Sequence, residues 1–178
     1  MPVDKRNIVL VGMPAAGKST LGVLLAKQLR YNFVDTDISI QVENDGTLAE
    51  LIAAHGNDAL LAMEAAACQA IQPTRCVIAT GGSAVYNHEA MEHLKTTGPV
   101  VYLHVGYDEV ARRVGDVVAR GVVMPEGYTF RDLYDERAAL YERYADVVVE
   151  TSGLTVNQAL GAAAKAIVEW LEGHAVRE

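Results

Sequence analysis

Between Ile8 and Thr20 the chain reads I-V-L-V-G-M-P-A-A-G-K-S-T, in which Gly12, four residues, Gly17, Lys18 and Ser19 form the pattern of a phosphate-binding loop. Glycines at both ends let the backbone turn tightly, so that its N–H groups approach an anion with no Cβ in the way. Lys18 is spaced to meet the β- and γ-phosphates of a nucleoside triphosphate, and Ser19 to offer a hydroxyl to Mg²⁺. The helix that follows from Thr20 adds free N–H groups and a positive dipole end. The residues expected to cradle the nucleotide are thus Gly12, Ala15, Ala16, Gly17, Lys18, Ser19 and Thr20. Ala15 and Ala16 stand where a third glycine is frequent, which predicts a stiffer loop. Two other stretches carry groups suited to the same chemistry: Asp35-Thr36-Asp37, with two carboxylates, and Thr80-Gly81-Gly82-Ser83, where backbone could lie close to a ligand.

The elements that must position these groups alternate. Asn7–Val11 reads as a β-branched strand, and Leu21, Leu24, Leu25 and Leu29 recur at helical spacing over Thr20–Leu29. A short strand at Asn32–Val34 leads into the acidic pair. Ile38–Glu43, a turn at Asn44-Asp45-Gly46 and a helix from Thr47 to about Ala54 come next, with Gly56 as its stop. Asn57 or Asp58 is expected to cap a further helix that runs to Ile71 and halts at Pro73. Cys76–Ala79, Pro99–Val105 and Asp146–Glu150 are strand-like. Helices are expected at Glu89–Lys95, Asp108 to about Ala119, Phe130–Tyr144 and Val156–Leu171, and Arg120–Thr129 is aperiodic. Five strands alternating with helices predict an α/β fold with a parallel sheet covered on both faces. Ligands of such sheets bind beyond the carboxyl ends of the strands, where the loop, the acidic pair and Gly81-Gly82 all fall.

At 178 residues, 51% apolar and 21% charged, the chain has the length and composition of one globular domain spanning 1–178. A net charge of −8 argues against nucleic acid or an anionic membrane as partner. Two cysteines without a C-x-x-C pattern read as reduced, buried thiols. No apolar run reaches membrane-spanning length, and a cytoplasmic monomer or weak homo-oligomer is expected.

With its landmarks taken together, the chain resembles the shikimate kinase family of P-loop kinases. The carriers are G-M-P-A-A-G-K-S-T at 12–20, D-T-D at 35–37, the spacing Gly56 to Glu64, T-G-G at 80–82, Arg113 to Arg120, and R-A-A-L-Y at 137–141. The resemblance implies strand order 2-3-1-4-5, a lid over about 120–129 and an acceptor-binding region over about 37–64. It implies that Asp35 and Ser19 serve Mg²⁺ and that Asp37 takes the proton of the acceptor hydroxyl. It also implies that Arg120 closes over the transferring phosphoryl group, that Arg113 lies over the adenine, and that Arg137 grips the acceptor carboxylate. Lys18, Asp37 and Arg120 are then the catalytic set, and Val122-Val123-Met124 is either a lid seal or a loop resting on the core.

On the acceptor side the chain departs from the family pattern. Leu60 and Leu61 stand where the family usually has Phe-Arg before the glutamate aligned with Glu64, so the second carboxylate clamp is aliphatic. Losing one partner of a buried charged contact costs about 2–5 kcal/mol. Ser83 replaces the third glycine of the family's Gly-Gly-Gly. Substrate contacts are therefore expected at Asp37, Leu61, Gly81, Gly82, Ser83 and Arg137, with His55 or Asn57 available to replace part of the clamp. The expected acceptor is a small hydroxy acid, homoserine being a candidate, and shikimate itself is the alternative. A non-catalytic ATP-binding protein is a further alternative. The N/T-K-x-D run of a guanine-reading switch is absent from the sequence.

Overall fold

Five parallel strands stand in the order β2-β3-β1-β4-β5, as expected. A computed structural model describes residues 6–72 and 74–175. The central strand β1 (Ile8–Val11) is apolar at every position because both of its faces are covered. It pairs with β3 (Cys76–Ala79) on one side and β4 (Val100–His104) on the other. The outer strands are β2 (Asn32–Asp35) beside β3 and β5 (Val147–Glu150) beside β4. Alternate residues divide the core between the two faces. Ile8, Leu10, Val77, Val101 and Leu103 pack on α1 (Lys18–Leu29) and α8 (Val156–Gly173). Val9, Val11, Ile78, Val100 and Tyr102 pack on the opposite layer, formed by α4 (Asn57–Gln69), α5 (His88–Thr97), α6 (Tyr107–Val114) and α7 (Phe130–Tyr144). Beyond the end of β2, α2 (Thr36–Asn44) and α3 (Leu48–His55) join α4 around a small apolar cluster of Ile40, Leu51 and Leu60.

The amino ends of the central strands are stitched by one residue. Asn7 is fully buried, and its amide donates to Gln72 O at 2.8 Å while its Oδ1 accepts from Thr74 N and Cys76 N, both at 3.0 Å. Its backbone N–H donates to Thr97 O at 2.8 Å, and Gly98 lies so close to its carbonyl that a Cβ there would collide. The start of β1 is thereby tied to the starts of both β3 and β4. Cys68 and Cys76 are buried free thiols, and burial pushes the Cys68 thiol up to about 12.

Several boundaries differ from expectation. α6 ends at Val114 rather than near Ala119, because Gly115 takes φ +62° and breaks the helical path. Residue 57 is already helical, so neither Asn57 nor Asp58 caps α4, and Gly56 at φ +84° both closes α3 and opens α4. Asn57 instead donates to Met124 O at 3.1 Å. A 3₁₀ turn at Ala84–Tyr86 had no periodic signal. Pro73, expected to halt α4, lies outside the described residues. No helix among those described is long and apolar enough to cross a membrane.

Candidate active site

The phosphate loop joins β1 to α1, and its backbone follows from its residue types. Gly12 and Gly17 have φ of +151° and +96°, and a Cβ at Gly12 would sit 2.8 Å from Leu103 O. Ala15 occupies the left-handed region at φ +64° without being glycine, a conformation that costs an alanine about 1–2 kcal/mol. Lys18 is buried and curls back on the loop, donating to Gly12 O at 2.7 Å and Met13 O at 2.9 Å. Burial lowers its pKa to about 8, opposed mainly by the Asp37 carboxylate.

β2 delivers the acidic pair to the same edge. Asp35 Oδ1 accepts from Asp37 N at 3.0 Å and Ile38 N at 3.3 Å, capping α2, while Asp35 Oδ2 accepts from Ser19 Oγ at 2.5 Å. Those two hard oxygens, facing each other beside the loop, suit Mg²⁺. Among the described residues no group of three His, Cys, Asp or Glu side chains surrounds this or any other point, so phosphate and water would have to supply the remaining ligands. Asp37 stands in the first turn of α2 with its Oδ1 buried and without a hydrogen-bond partner. Burial raises its pKa, and the Lys18 ammonium opposes the rise.

Facing this edge is a cleft of about 520 Å³ whose walls include Lys18, Asp37, Glu64, Arg113, Arg120 and Arg137. Arg137, from α7, is 1% exposed. Its Nη2 donates to Val123 O at 2.6 Å, its Nε donates to Tyr86 Oη at 3.3 Å, and its guanidinium lies 5.2 Å from the Tyr86 ring centre. Glu64 is buried and accepts a short hydrogen bond from Ser83 Oγ. Burial brings its carboxyl up to about 7, the Ser83 bond pulling the other way. Gly81 lies beneath both acids: a Cβ there would come within 2.8 Å of Asp37 Oδ1 and would collide with Glu64. Gly82 lies against Arg137, its hypothetical Cβ 3.0 Å from Nη1.

Arg113 and Arg120 stand at the exposed rim, and Arg120 Nη2 donates to Arg113 O at 3.2 Å. Arg113 is paired with Glu109 one turn earlier, and the other oxygen of Glu109 accepts from Gly153 N at 2.8 Å. Arg113 thus stands between the main cleft and a groove of about 140 Å³ whose far wall is Thr151 and Leu154. The segment after Arg120 is docked: Gly121, at φ +65°, lies against Leu48 and Ala49, and Val123 is buried with Ile40, Leu51 and Leu60. Val122 lines the cleft while Val123 rests on the core, so the segment touches both.

Of the residues expected at the site, Leu61 does not reach the main cleft. It packs beside the Ile40–Leu60 cluster and lines a separate shallow groove on the far side of Ser83. Asn57 donates to Met124 O and His55 is exposed, and neither lines the main cleft. Sequence reasoning missed Tyr86, Glu109, Thr151 and Leu154. Only the last two left a signal, a Thr-Ser-Gly-Leu turn directly after β5 at the same sheet edge.

The shikimate kinase family model matches residues 14–172. The chain belongs to the shikimate kinase family. A shikimate kinase from Clostridium botulinum is 32% identical over 165 residues, covering 92% of this chain and 98% of the relative. Shikimate kinase 2 from Yersinia pseudotuberculosis is 34% identical, with coverage of 87% and 94%. A crystallised shikimate kinase from Acinetobacter baumannii, in complex with shikimate, superposes with a TM-score of 0.81 at 28% identity over 97% of this chain and 96% of that one. A gluconokinase from Sinorhizobium meliloti shares the fold, with a TM-score of 0.64 at 19% identity and coverage of 96% and 95%. Membership of this family makes the chain an ATP-dependent small-molecule kinase with the P-loop architecture.

Proposed function

We propose that this kinase transfers the γ-phosphoryl group of ATP to a hydroxyl of shikimate, using Asp37 as the base and Arg137 as its single carboxylate clamp. The observation that carries the reading is the unpartnered, buried Oδ1 of Asp37, which leaves a free acceptor site in the wall of the cleft that Lys18 and Arg137 share. An acceptor hydroxyl donating to that oxygen would satisfy it. The hydroxyl proton passes to Asp37 as the oxygen bonds to the γ-phosphorus, and the bond to the β–γ bridging oxygen breaks to leave ADP. Lys18 swings from its loop carbonyls to the phosphates, and Arg120 neutralises charge that develops on the transferring group. Arg113, steadied by Glu109, lies over the adenine opposite Thr151 and Leu154. Ser19 and Asp35 would hold Mg²⁺, which when bound neutralises charge on the β- and γ-oxygens.

Leu61 and Ser83 favour a second reading, in which the acceptor is a smaller hydroxy acid or hydroxy amino acid such as homoserine. The clamp position is aliphatic, and the Ser83 hydroxyl adds bulk beside Glu64. A coupled ADP-release assay across shikimate, homoserine, serine and gluconate separates the two. Turnover of shikimate at the highest kcat/KM of the four is the expected result, and a preference for homoserine or serine by tenfold or more would transfer the assignment to the second reading.

A further inference from the structure

Arg137 is the end of a hydrogen-bonded chain that starts on the lid. Tyr128, at the far end of the lid segment and 37% exposed, donates to Glu136 Oε2 at 2.8 Å. Glu136 Oε1 accepts from Tyr86 Oη at 2.5 Å, and Tyr86 Oη accepts from Arg137 Nε at 3.3 Å. Arg137 Nη2 then returns to the lid at Val123 O, 2.6 Å away. The circuit is closed, with both lid contacts and both α7 residues in it. Its geometry restricts what Arg137 can offer. Nε and one Nη2 hydrogen are engaged, the guanidinium is held beside the Tyr86 ring and in contact with Tyr141, and Nη1, next to Gly82, is among the donors left where Arg137 lines the cleft.

We infer that Tyr86 and Glu136 are positioning residues that hold Arg137 in one orientation for the acceptor and make that orientation depend on the docked lid through Tyr128. In a pocket with an aliphatic residue at the second clamp position, one fixed donor edge has to do the orienting that two flexible arginines could share. A guanidinium pinned in place loses less rotamer freedom when a carboxylate binds, so affinity is gained through preorganisation. The inference rests on the reading of Arg137 as the carboxylate clamp.

Tyr86→Phe keeps the ring and removes the hydroxyl, Glu136→Ala removes the shared acceptor, and Tyr128→Phe cuts the chain at its exposed end without touching the cleft. The three variants are assayed with shikimate and ATP, and the ¹⁵N signal of Arg137 Nε–H is followed for exchange protection in the same proteins. Loss of one hydrogen bond to a charged group predicts a rise of about three- to thirtyfold in the KM for shikimate in Tyr86→Phe and Glu136→Ala, with a smaller rise in Tyr128→Phe. The KM for ATP stays within twofold, kcat within threefold, and Glu136→Gln, which can still accept from Tyr86, recovers most of the loss. A shikimate KM unchanged in both Tyr86→Phe and Glu136→Ala, or a rise matched by the KM for ATP, overturns the inference. Should the unaltered enzyme decline shikimate, the acceptor reading fails separately, and the Nε–H signal decides alone: protection lost in Tyr86→Phe and Glu136→Ala supports the circuit, and protection retained overturns it.

Discussion

Glu64 shows how a single buried acid ties stability to pH. Its carboxyl, lifted by burial from an ordinary 4.5 to about 7, keeps its proton in the folded chain over a range where the unfolded chain has lost it. Folding therefore takes up a proton between about pH 4.5 and 7, and stability falls as the pH rises through that window. Glu64→Gln still accepts from Ser83 and cannot ionise. Its thermal midpoint is expected to match the parent's near pH 4.5 and exceed it at pH 8, the gain being on the order of 1–3 kcal/mol; a variant with the parent's pH profile would refute the assignment. Asp37 is argued from the same kind of burial but a different role. Asp37→Asn should lower kcat by about 10²–10⁴ while ATP binding, measured by calorimetry, stays within threefold. At this scale the sequence spoke through residue types: a lysine after a glycine, two acids at a strand end. It did not speak about partners. Ser83 and Glu64 are 19 positions apart and Tyr86 and Glu136 50 apart, and no local spacing relates them.

Among the elements, the lid is the one whose docking depends on a single missing side chain. Gly121 lies with its hypothetical Cβ 2.5 Å from Leu48 Cβ and 2.7 Å from Ala49 N, in a left-handed conformation. Gly121→Val adds both a clash and backbone strain, and should lift the lid from α3. The expected result is a kcat reduced by tenfold or more, with the thermal midpoint lowered by a few degrees as Val123 leaves the Ile40–Leu60 cluster. An unaltered kcat would show that the docked lid is not the working one. The helices and strands themselves were legible because β1, β3 and β4 are covered on both faces and read as unbroken apolar runs. The end of α6 was not, because Arg112, Arg113 and the valines beyond continue a helical pattern that only the φ of Gly115 interrupts. The cap of α4 was misread for a similar reason, since Asn57 is a good cap by type and is spent on the lid instead.

For the molecule as a whole, strand order places every charged group of the site at one edge of the sheet. Nucleotide binding should accordingly be felt as global stability. MgATP at one hundred times its dissociation constant adds about 2.7 kcal/mol, which for a chain of this length is a rise of about 5–10 °C in the thermal midpoint. Lys18→Ala should abolish most of that rise, and a full rise in the variant would count against the loop as the nucleotide site. Asn7 sits at the opposite edge, where its side chain ties the start of β1 to that of β3 and its backbone N–H ties it to the approach to β4. That placement polarises the molecule in time as well as in space. The amide of Cys76, held in a buried hydrogen bond by Asn7, is expected to exchange with deuterium only when the whole chain opens. The amides of the lid, between residues 121 and 128, need only a local excursion. Exchange should then spread along the strand axis from the catalytic edge downward, so that the enzyme can loosen its working end while its anchored end holds.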